Sequence, residues 1–119
     1  MSDPPTIQLS HFEKEQVTRA CAWMATHLAE NPGLRSAAGI AGLSTKKFKA
    51  GIRLLYNQNF AAYLLTLRKE KARSLLLETN ALVAEVGRQC GFRNEAAFHR
   101  WFKQWFGQTP GVFRKGRVV

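Results

Sequence analysis

The sequence predicts an all-α protein in which two helix-turn-helix modules are joined by a long linker helix. Apolar residues recur at helical spacing, glycine turns separate short helices from longer ones, and part of the first half of the chain returns in the second half. We divide the chain into a lead-in over residues 1–9, a first module over 10–58, a linker helix over 59–79 and a second module over 80–119.

The first helix is predicted from Ser10 to about Glu30. Ser10 and Glu13 have the spacing of a capping box, in which each side chain bonds the backbone N–H of the other residue. An apolar stripe follows at a period of 3.6 residues, and Asn31-Pro32-Gly33 ends the helix. The stripe consists of Val17, Cys21, Met24 and Leu28.

A helix-turn-helix pattern follows. A short helix runs from Leu34 to Ala41, Gly42 makes the turn, and Ser44 caps a second helix from Thr45 to about Tyr56. The inward face of the second helix is predicted to hold Phe48, Ile52 and Leu55. The opposite face holds Lys46, Lys49, Ala50 and Arg53.

The linker helix is predicted from its cap at Asn59 to about Thr79. At about 1.5 Å per residue it spans on the order of 30 Å. Two recognition helices that read successive major grooves on one face of B-DNA must lie about 34 Å apart. A helix of this length is therefore a suitable spacer between two readers.

The first module is followed by an internal duplication of part of its sequence. Residues 34–63 match residues 83–113 with an offset of 49 up to the turn and of 50 after it. The second recognition helix is predicted from Glu95 to Phe106, and Thr109-Pro110 begins a last short helix that ends near Lys115. The matched pairs include Gly42 with Gly91, Phe48 with Phe98, Ile52 with Phe102, Tyr56 with Phe106 and Asn57 with Gly107.

The charge distribution indicates a polyanionic partner. The chain holds 18 Lys and Arg against 8 Asp and Glu, a formal net charge of +10. Residues 35–75 alone hold nine basic groups and one acidic group. Phosphate neutralisation supplies most sequence-independent affinity for nucleic acid, so nucleic acid is the first candidate partner.

Three other classes of function are weighed against sequence-specific DNA binding. An enzyme would need a convergent acid, base or nucleophile set, and the sequence holds no H-E-x-x-H, no C-x-x-C and no glycine-rich phosphate loop. A general RNA or nucleoid binder and a protein-interaction domain stay open, because charge does not separate them. Cys21 and Cys90 are expected to be reduced, buried thiols, and we expect no metal and no cofactor.

Two segments resemble the DNA-binding domain of AraC/XylS-type bacterial transcription regulators. The first is Gly91-Phe92 with Phe98, Arg100, Phe102-Lys103, Phe106-Gly107 and Thr109-Pro110, which matches the family pattern G-F-x-x-x-x-x-F-x-R-x-F-K-x-x-x-G-x-[ST]-P. The second is the linker segment 63–76, which is similar to Y-L-x-x-x-R-x-x-x-A-x-x-L-L. The resemblance covers residues 10–115.

This resemblance implies a seven-helix, homeodomain-like tandem that binds double-stranded DNA and regulates transcription, usually as an activator that also touches RNA polymerase. We expect a cytoplasmic protein without a membrane partner, because no segment approaches the roughly 18 apolar residues of a membrane span and residues 1–5 lack the basic and apolar regions of a signal peptide. When bound to DNA it is expected to be associated with the bacterial nucleoid. Many members carry an N-terminal effector or dimerisation domain. The Pro4-Pro5 lead-in favours a piece of such a longer protein over a stand-alone regulator.

The resemblance also assigns roles to individual residues. Positions that read bases fall, in the first recognition helix, on Lys46, Lys49 and Ala50, and in the second on Ala96, His99 and Arg100. Positions suited to phosphates, which set register rather than sequence, are Thr45, Lys47, Arg53, Arg68, Glu95 and Lys103.

The chain departs from the family pattern mainly in its first module. Gly39 lies inside a helix, where glycine costs about 1 kcal/mol relative to alanine, so we expect the first module to be the less stable one. The other first-module departures are Gly33, Ala37 and Ile52. In the second module, Leu82 stands where a polar cap is common and Gly87 where alanine is common. Trp101 is expected in the core or at its boundary, with a partly exposed position or one that covers a gap between the modules as the alternative.

Overall fold

A computed structural model describes residues 7–117, and within that range the chain forms seven α-helices, one 3-10 turn and no strand. The predicted all-α class is confirmed. The prolines of the lead-in, Pro4 and Pro5, lie outside the described residues, as do residues 118–119. The helices are α1 (His11–Thr26), α2 (Leu34–Ala41), α3 (Thr45–Tyr56), α4 (Phe60–Glu78), α5 (Val83–Gln89), α6 (Glu95–Phe106) and α7 (Pro110–Lys115).

The helices are distributed over two compact units. Within the described residues, the first unit contains residues 7–26 together with Pro32–Tyr63, and the second contains His27–Asn31 together with residues 64–117. Helix α4 begins in the first unit and ends in the second. Each unit contains one helix-turn-helix, α2 with α3 and α5 with α6.

Helix α1 begins as predicted and ends earlier than predicted. The Ser10 N–H donates to Glu13 Oε1 at 3.0 Å and the Glu13 N–H donates to Ser10 Oγ at 3.0 Å, which is the capping box. The predicted end near Glu30 is wrong, because the α-helix stops at Thr26 and a 3-10 turn follows over Leu28–Glu30. Leu28 is buried within the second unit, so tertiary packing there overrides the helical periodicity.

The core of the first unit is built mainly from aliphatic side chains, with Phe48 and Tyr63 as its aromatic members. Leu9 of the lead-in joins it, which the sequence did not indicate. The prediction that Leu55 faces inward is wrong. Its side chain is 37% exposed, because it lines an open pocket together with the polar residues Lys14, Glu15 and Thr18 of α1. The buried set comprises Leu9, Val17, Ala20, Cys21, Met24, Ala37, Ala38, Ala41, Phe48, Ile52 and Tyr63.

The core of the second unit is more aromatic. The Phe102 ring is fully buried, and its centroid lies 5.8 Å from that of Phe98, 4.6 Å from that of Phe106 and 5.2 Å from that of Phe113. Trp101 is half-buried against this cluster, which confirms its expected boundary position. The buried residues of this cluster are Ala72, Leu76, Val86, Cys90, Phe92, Phe98 and Phe102.

The internal duplication is visible in matched details of the two units. Gly42 and Gly91 both have positive φ, 71° and 90°, in the turns before α3 and α6. Asn57 and Gly107 end those helices in the left-handed conformation. Ring pairs recur as well: Tyr56 stacks on Tyr63 at 4.4 Å, and their counterparts Phe106 and Phe113 lie 5.1 Å apart.

Two arginines near the end of the chain stabilise the C-terminus of α4. Arg114 donates to the carbonyl oxygens of Leu76 and Ala81, and Arg117 donates to those of Leu76 at 2.9 Å and Thr79 at 2.8 Å. The last carbonyls of a helix lack intrahelical partners and carry partial negative charge, so guanidinium groups suit them. These two cations therefore serve the fold and contribute less to an open basic surface.

Each unit holds one buried, free cysteine, Cys21 in the first and Cys90 in the second. Burial raises the pKa of both thiols, that of Cys90 to about 12. Among residues 7–117 no group of His, Cys, Asp and Glu side chains is arranged to hold a metal ion. No helix in the same range combines the length and the apolar character needed to cross a membrane.

Candidate nucleic-acid interface

Helix α3 is fixed at both ends and along one face. The Ser44 Oγ accepts the Lys47 N–H at 3.1 Å, and Phe48 and Ile52 are fully buried. Gly51 lies so close to α1 that an added Cβ would stand 2.6 Å from Val17 Cγ2. The predicted N-cap and the two anchor residues are confirmed, and α3 packs closely on α1.

The opposite face of α3 is open and basic. Lys46, Lys49 and Arg53 are exposed, and they form no ion pair within the described part of the chain. Ala50 is half-buried between them. With the start of α4, this face forms a shallow groove of about 400 Å³, lined by Lys49, Ala50, Arg53, Asn59 and Phe60.

Helix α6 is fixed in the same way. Its N-cap is Asn94, whose Oδ1 accepts the Ala97 N–H at 2.8 Å, and its anchors are the fully buried Phe98 and Phe102. Gly87 of α5 packs against Phe98, and an added Cβ would stand 2.8 Å from Phe98 Cδ2. The glycine at this position is therefore explained by the close approach of α5 to a large ring.

The open face of α6 carries fewer cations than that of α3. Ala96, Arg100 and Lys103 are exposed. His99 is partly exposed, but its Nε2 is shielded from solvent and lies 3.4 Å from Glu95 Oε1. In this conformation that nitrogen of His99 is turned toward the first turn of α6.

Two of the cations predicted to contact phosphate, Lys47 and Arg68, have protein partners. The Lys47 Nζ lies 2.6 Å from Glu13 Oε2. Arg68 donates to Asn31 Oδ1 and lies over the Phe92 ring, 5.4 Å from its centroid, and burial lowers the pKa of its guanidinium. Because the partners of Arg68 are distant in sequence, no pattern of neighbouring residues predicts that its guanidinium is engaged.

One exposed cation was missed. The offset between the modules rises from 49 to 50 at the turn because the second module has one extra residue there, and that residue is Arg93. Arg93 is exposed directly before the N-cap of α6 and lines a small pocket of about 200 Å³ with Arg88 and Asn94. The change in offset from 49 to 50 could have identified Arg93 from the sequence alone.

A short helix, a glycine turn and a second helix with a buried apolar face and an open polar face occur twice, which defines a tandem helix-turn-helix DNA-binding domain. A family model described as a helix-turn-helix domain matches residues 37–116. The chain belongs to the AraC-type helix-turn-helix family of transcription regulators.

Known proteins of this type align along most of the chain. The transcriptional activator RhaS of Enterobacter sp. strain 638 is 28% identical over 102 residues, which cover 86% of this chain and 37% of that protein. The arabinose operon regulatory protein of Escherichia coli strain K12 is 32% identical over 106 residues, 85% of this chain and 35% of that protein. The chain thus spans about a third of the length of these relatives.

The fold also matches solved structures. The DNA-binding domain of the global transcriptional factor AdpA, solved in complex with a target DNA, superposes with a TM-score of 0.76 at 29% sequence identity. The match covers 84% of this chain and 90% of that domain.

Proposed function

We propose that this domain binds double-stranded DNA in a sequence-specific manner and regulates transcription as an activator. The observation that carries the proposal is the repeated construction of α3 and α6. Each helix has 12 residues, a polar N-cap side chain and a left-handed C-cap, and each buries one apolar face. Each therefore presents its opposite face on a rigid support, as a helix that enters the major groove must.

The proposed base-reading residues occupy equivalent positions in the two helices. Those of α3 are Lys46, Lys49 and Ala50, and their counterparts in α6 are Ala96, His99 and Arg100. Lysine and arginine donate to guanine O6 and N7, and alanine can contact a thymine methyl group. Because the cations stand at different positions in the two helices, we propose that the two half-sites differ in sequence.

The proposed phosphate contacts flank these readers. Arg53 and Lys103 are equivalent and both exposed, and the backbone amides at Thr45 and Glu95 begin the two helices. Two residues are left out of these contacts. Lys47 is excluded because its Nζ is paired with Glu13 Oε2 at 2.6 Å. For Arg68 we propose a positioning role, because its guanidinium is engaged by Asn31 and Phe92 next to the turn before α6.

Activation requires more than DNA binding. The proposed further partners are RNA polymerase and an effector or dimerisation domain, in keeping with the short span of this chain relative to its curated relatives. Proteins of this family are transcription regulators, and we propose no catalytic role.

Selection from a random DNA pool tests sequence-specific binding. We expect the selected duplexes to contain two half-sites about one helical turn, 10–10.5 bp, apart. A labelled selected duplex should then resist competition by unrelated DNA or RNA at fixed salt concentration. Equal competition by unrelated nucleic acid would instead establish a sequence-independent binder.

A pair of variants tests the division between readers and phosphate contacts. Arg100→Ala is expected to cost about 1–3 kcal/mol on the selected site and to relax base preference within one half-site. Arg53→Ala is expected to weaken all duplexes alike and to reduce the slope of log K against log salt concentration by about 0.9. If the two variants change preference and salt slope in the same way, this division of roles is wrong.

A further inference from the structure

We propose that Glu13 limits the sequence-independent affinity of the first module by holding the Lys47 ammonium away from the DNA backbone. This inference rests on the proposed function, since it concerns the same recognition helix. Glu13 lies on α1 and Lys47 on α3, and the ion pair between them joins the two helices.

The carboxylate of Glu13 is oriented by the N-terminal cap of α1, independently of Lys47. Its Oε1 accepts the Ser10 N–H at 3.0 Å, while the Glu13 N–H donates to Ser10 Oγ. Its Oε2 accepts from Lys47 Nζ at 2.6 Å. The capping box thus orients one oxygen toward α3, so little of the conformational freedom of Glu13 is lost when the ion pair forms.

The start of α3 lacks any acidic residue of its own. Its first turn carries Lys46 and Lys47, at the end of the helix where the backbone already has partial positive charge. Glu13 supplies the missing negative charge from another helix. Helix α6 differs, because its own first turn carries Glu95.

The pair remains accessible to solvent. The side chain of Lys47 is 43% exposed and that of Glu13 is 21% exposed. Lys47 is also flanked by two exposed cations of the proposed interface, Lys46 and Lys49. Without the carboxylate, the Lys47 ammonium is free to pair with a DNA phosphate, and each neutralised phosphate adds to sequence-independent affinity.

Glu13→Gln is the appropriate variant, because glutamine also occupies the third helical position of a capping box and removes only the charge. The matched control is Glu15→Gln, which changes the net charge by the same amount on the same helix and contacts His11 instead of Lys47. Helix content measured by circular dichroism is expected to be the same for both variants and the wild type.

The measurement is the affinity for a duplex without the selected site as a function of KCl concentration. Glu13→Gln is expected to steepen the salt slope by about 0.9, so that its advantage over the wild type changes roughly threefold between 50 and 200 mM salt. Glu15→Gln should leave the slope unchanged. Lys47→Gln should leave the slope unchanged in the wild type and should abolish the gain in the Glu13→Gln background.

Three results would overturn the inference. Equal slopes for the two glutamate variants would show that Glu13 acts only through net charge. A slope reduced by Lys47→Gln alone would show that Lys47 already contacts phosphate. A wild-type protein that does not discriminate its selected duplex from unrelated DNA would refute the proposed function and this inference together, whereas the first two results refute the inference alone.

Discussion

Gly91→Ala is expected to unfold the second unit. Gly91 has φ of 90°, a region that costs a residue with a Cβ about 1–2 kcal/mol. An added Cβ would also stand 2.3 Å from the backbone oxygen of Leu28, which cannot rotate away as a side chain can. Moving the 3-10 turn to relieve this contact disturbs the core, at a further cost of about 1–3 kcal/mol.

Gly42→Ala is the matched control, because Gly42 occupies the same position in the first module. Its φ of 71° imposes a similar backbone cost, but nothing lies within 4 Å of an added Cβ. Hydrogen exchange measured on individual peptides reports the stability of each unit separately. Loss of protection over residues 83–106 in Gly91→Ala, with a folded Gly42→Ala, is the expected result; equal protection in both variants would contradict the steric explanation.

Phe102→Ala is expected to lower the free energy of unfolding of the second unit by about 3–5 kcal/mol. The Phe102 ring is fully buried and contacts the rings of Phe98, Phe106 and Phe113. Its removal leaves a cavity that these large rings cannot fill without leaving their preferred conformations. The decrease in the free energy of unfolding is measured by urea denaturation, with hydrogen exchange of residues 95–113 as the readout for the second unit.

The first module suggests the control for this variant, because its equivalent residue is isoleucine. Phe102→Ile retains a branched apolar side chain and is expected to cost clearly less than Phe102→Ala. Ile52 is itself fully buried, so isoleucine is compatible with this position of a helix-turn-helix. If Phe102→Ala cost less than about 1 kcal/mol, the ring cluster would not be the core that the structure indicates.

Features set by neighbouring residues were predictable from the sequence. The bounds of α2, α3 and α6 agree with prediction, because a polar N-cap or a left-handed C-cap fixes most of their ends. The glycine turns and the apolar anchors were predictable for the same reason, since the duplication displays each signal twice. The candidate interface also follows from these signals, because anchors on one helical face define what the other face exposes.

Features that depend on distant residues were not predictable. The early end of α1 depends on the burial of Leu28 in the other unit. The engagement of Lys47 and of Arg68 depends on partners 34 and 37 residues away. The need for glycine at position 87 depends on the Phe98 ring, which lies against it only in the folded chain. In each case the residue can be recognised in the sequence, but the residue it contacts is known only from the fold.

The two buried cysteines give the protein a native reporter for each half. A thiol that burial keeps protonated reacts slowly with alkylating reagents, because the thiolate is the reactive species. Alkylation of Cys21 therefore proceeds at a rate set by the opening of the first unit, and alkylation of Cys90 at a rate set by the second. Mass spectrometry of the wild-type chain can thus rank the local stability of its two halves without any introduced probe.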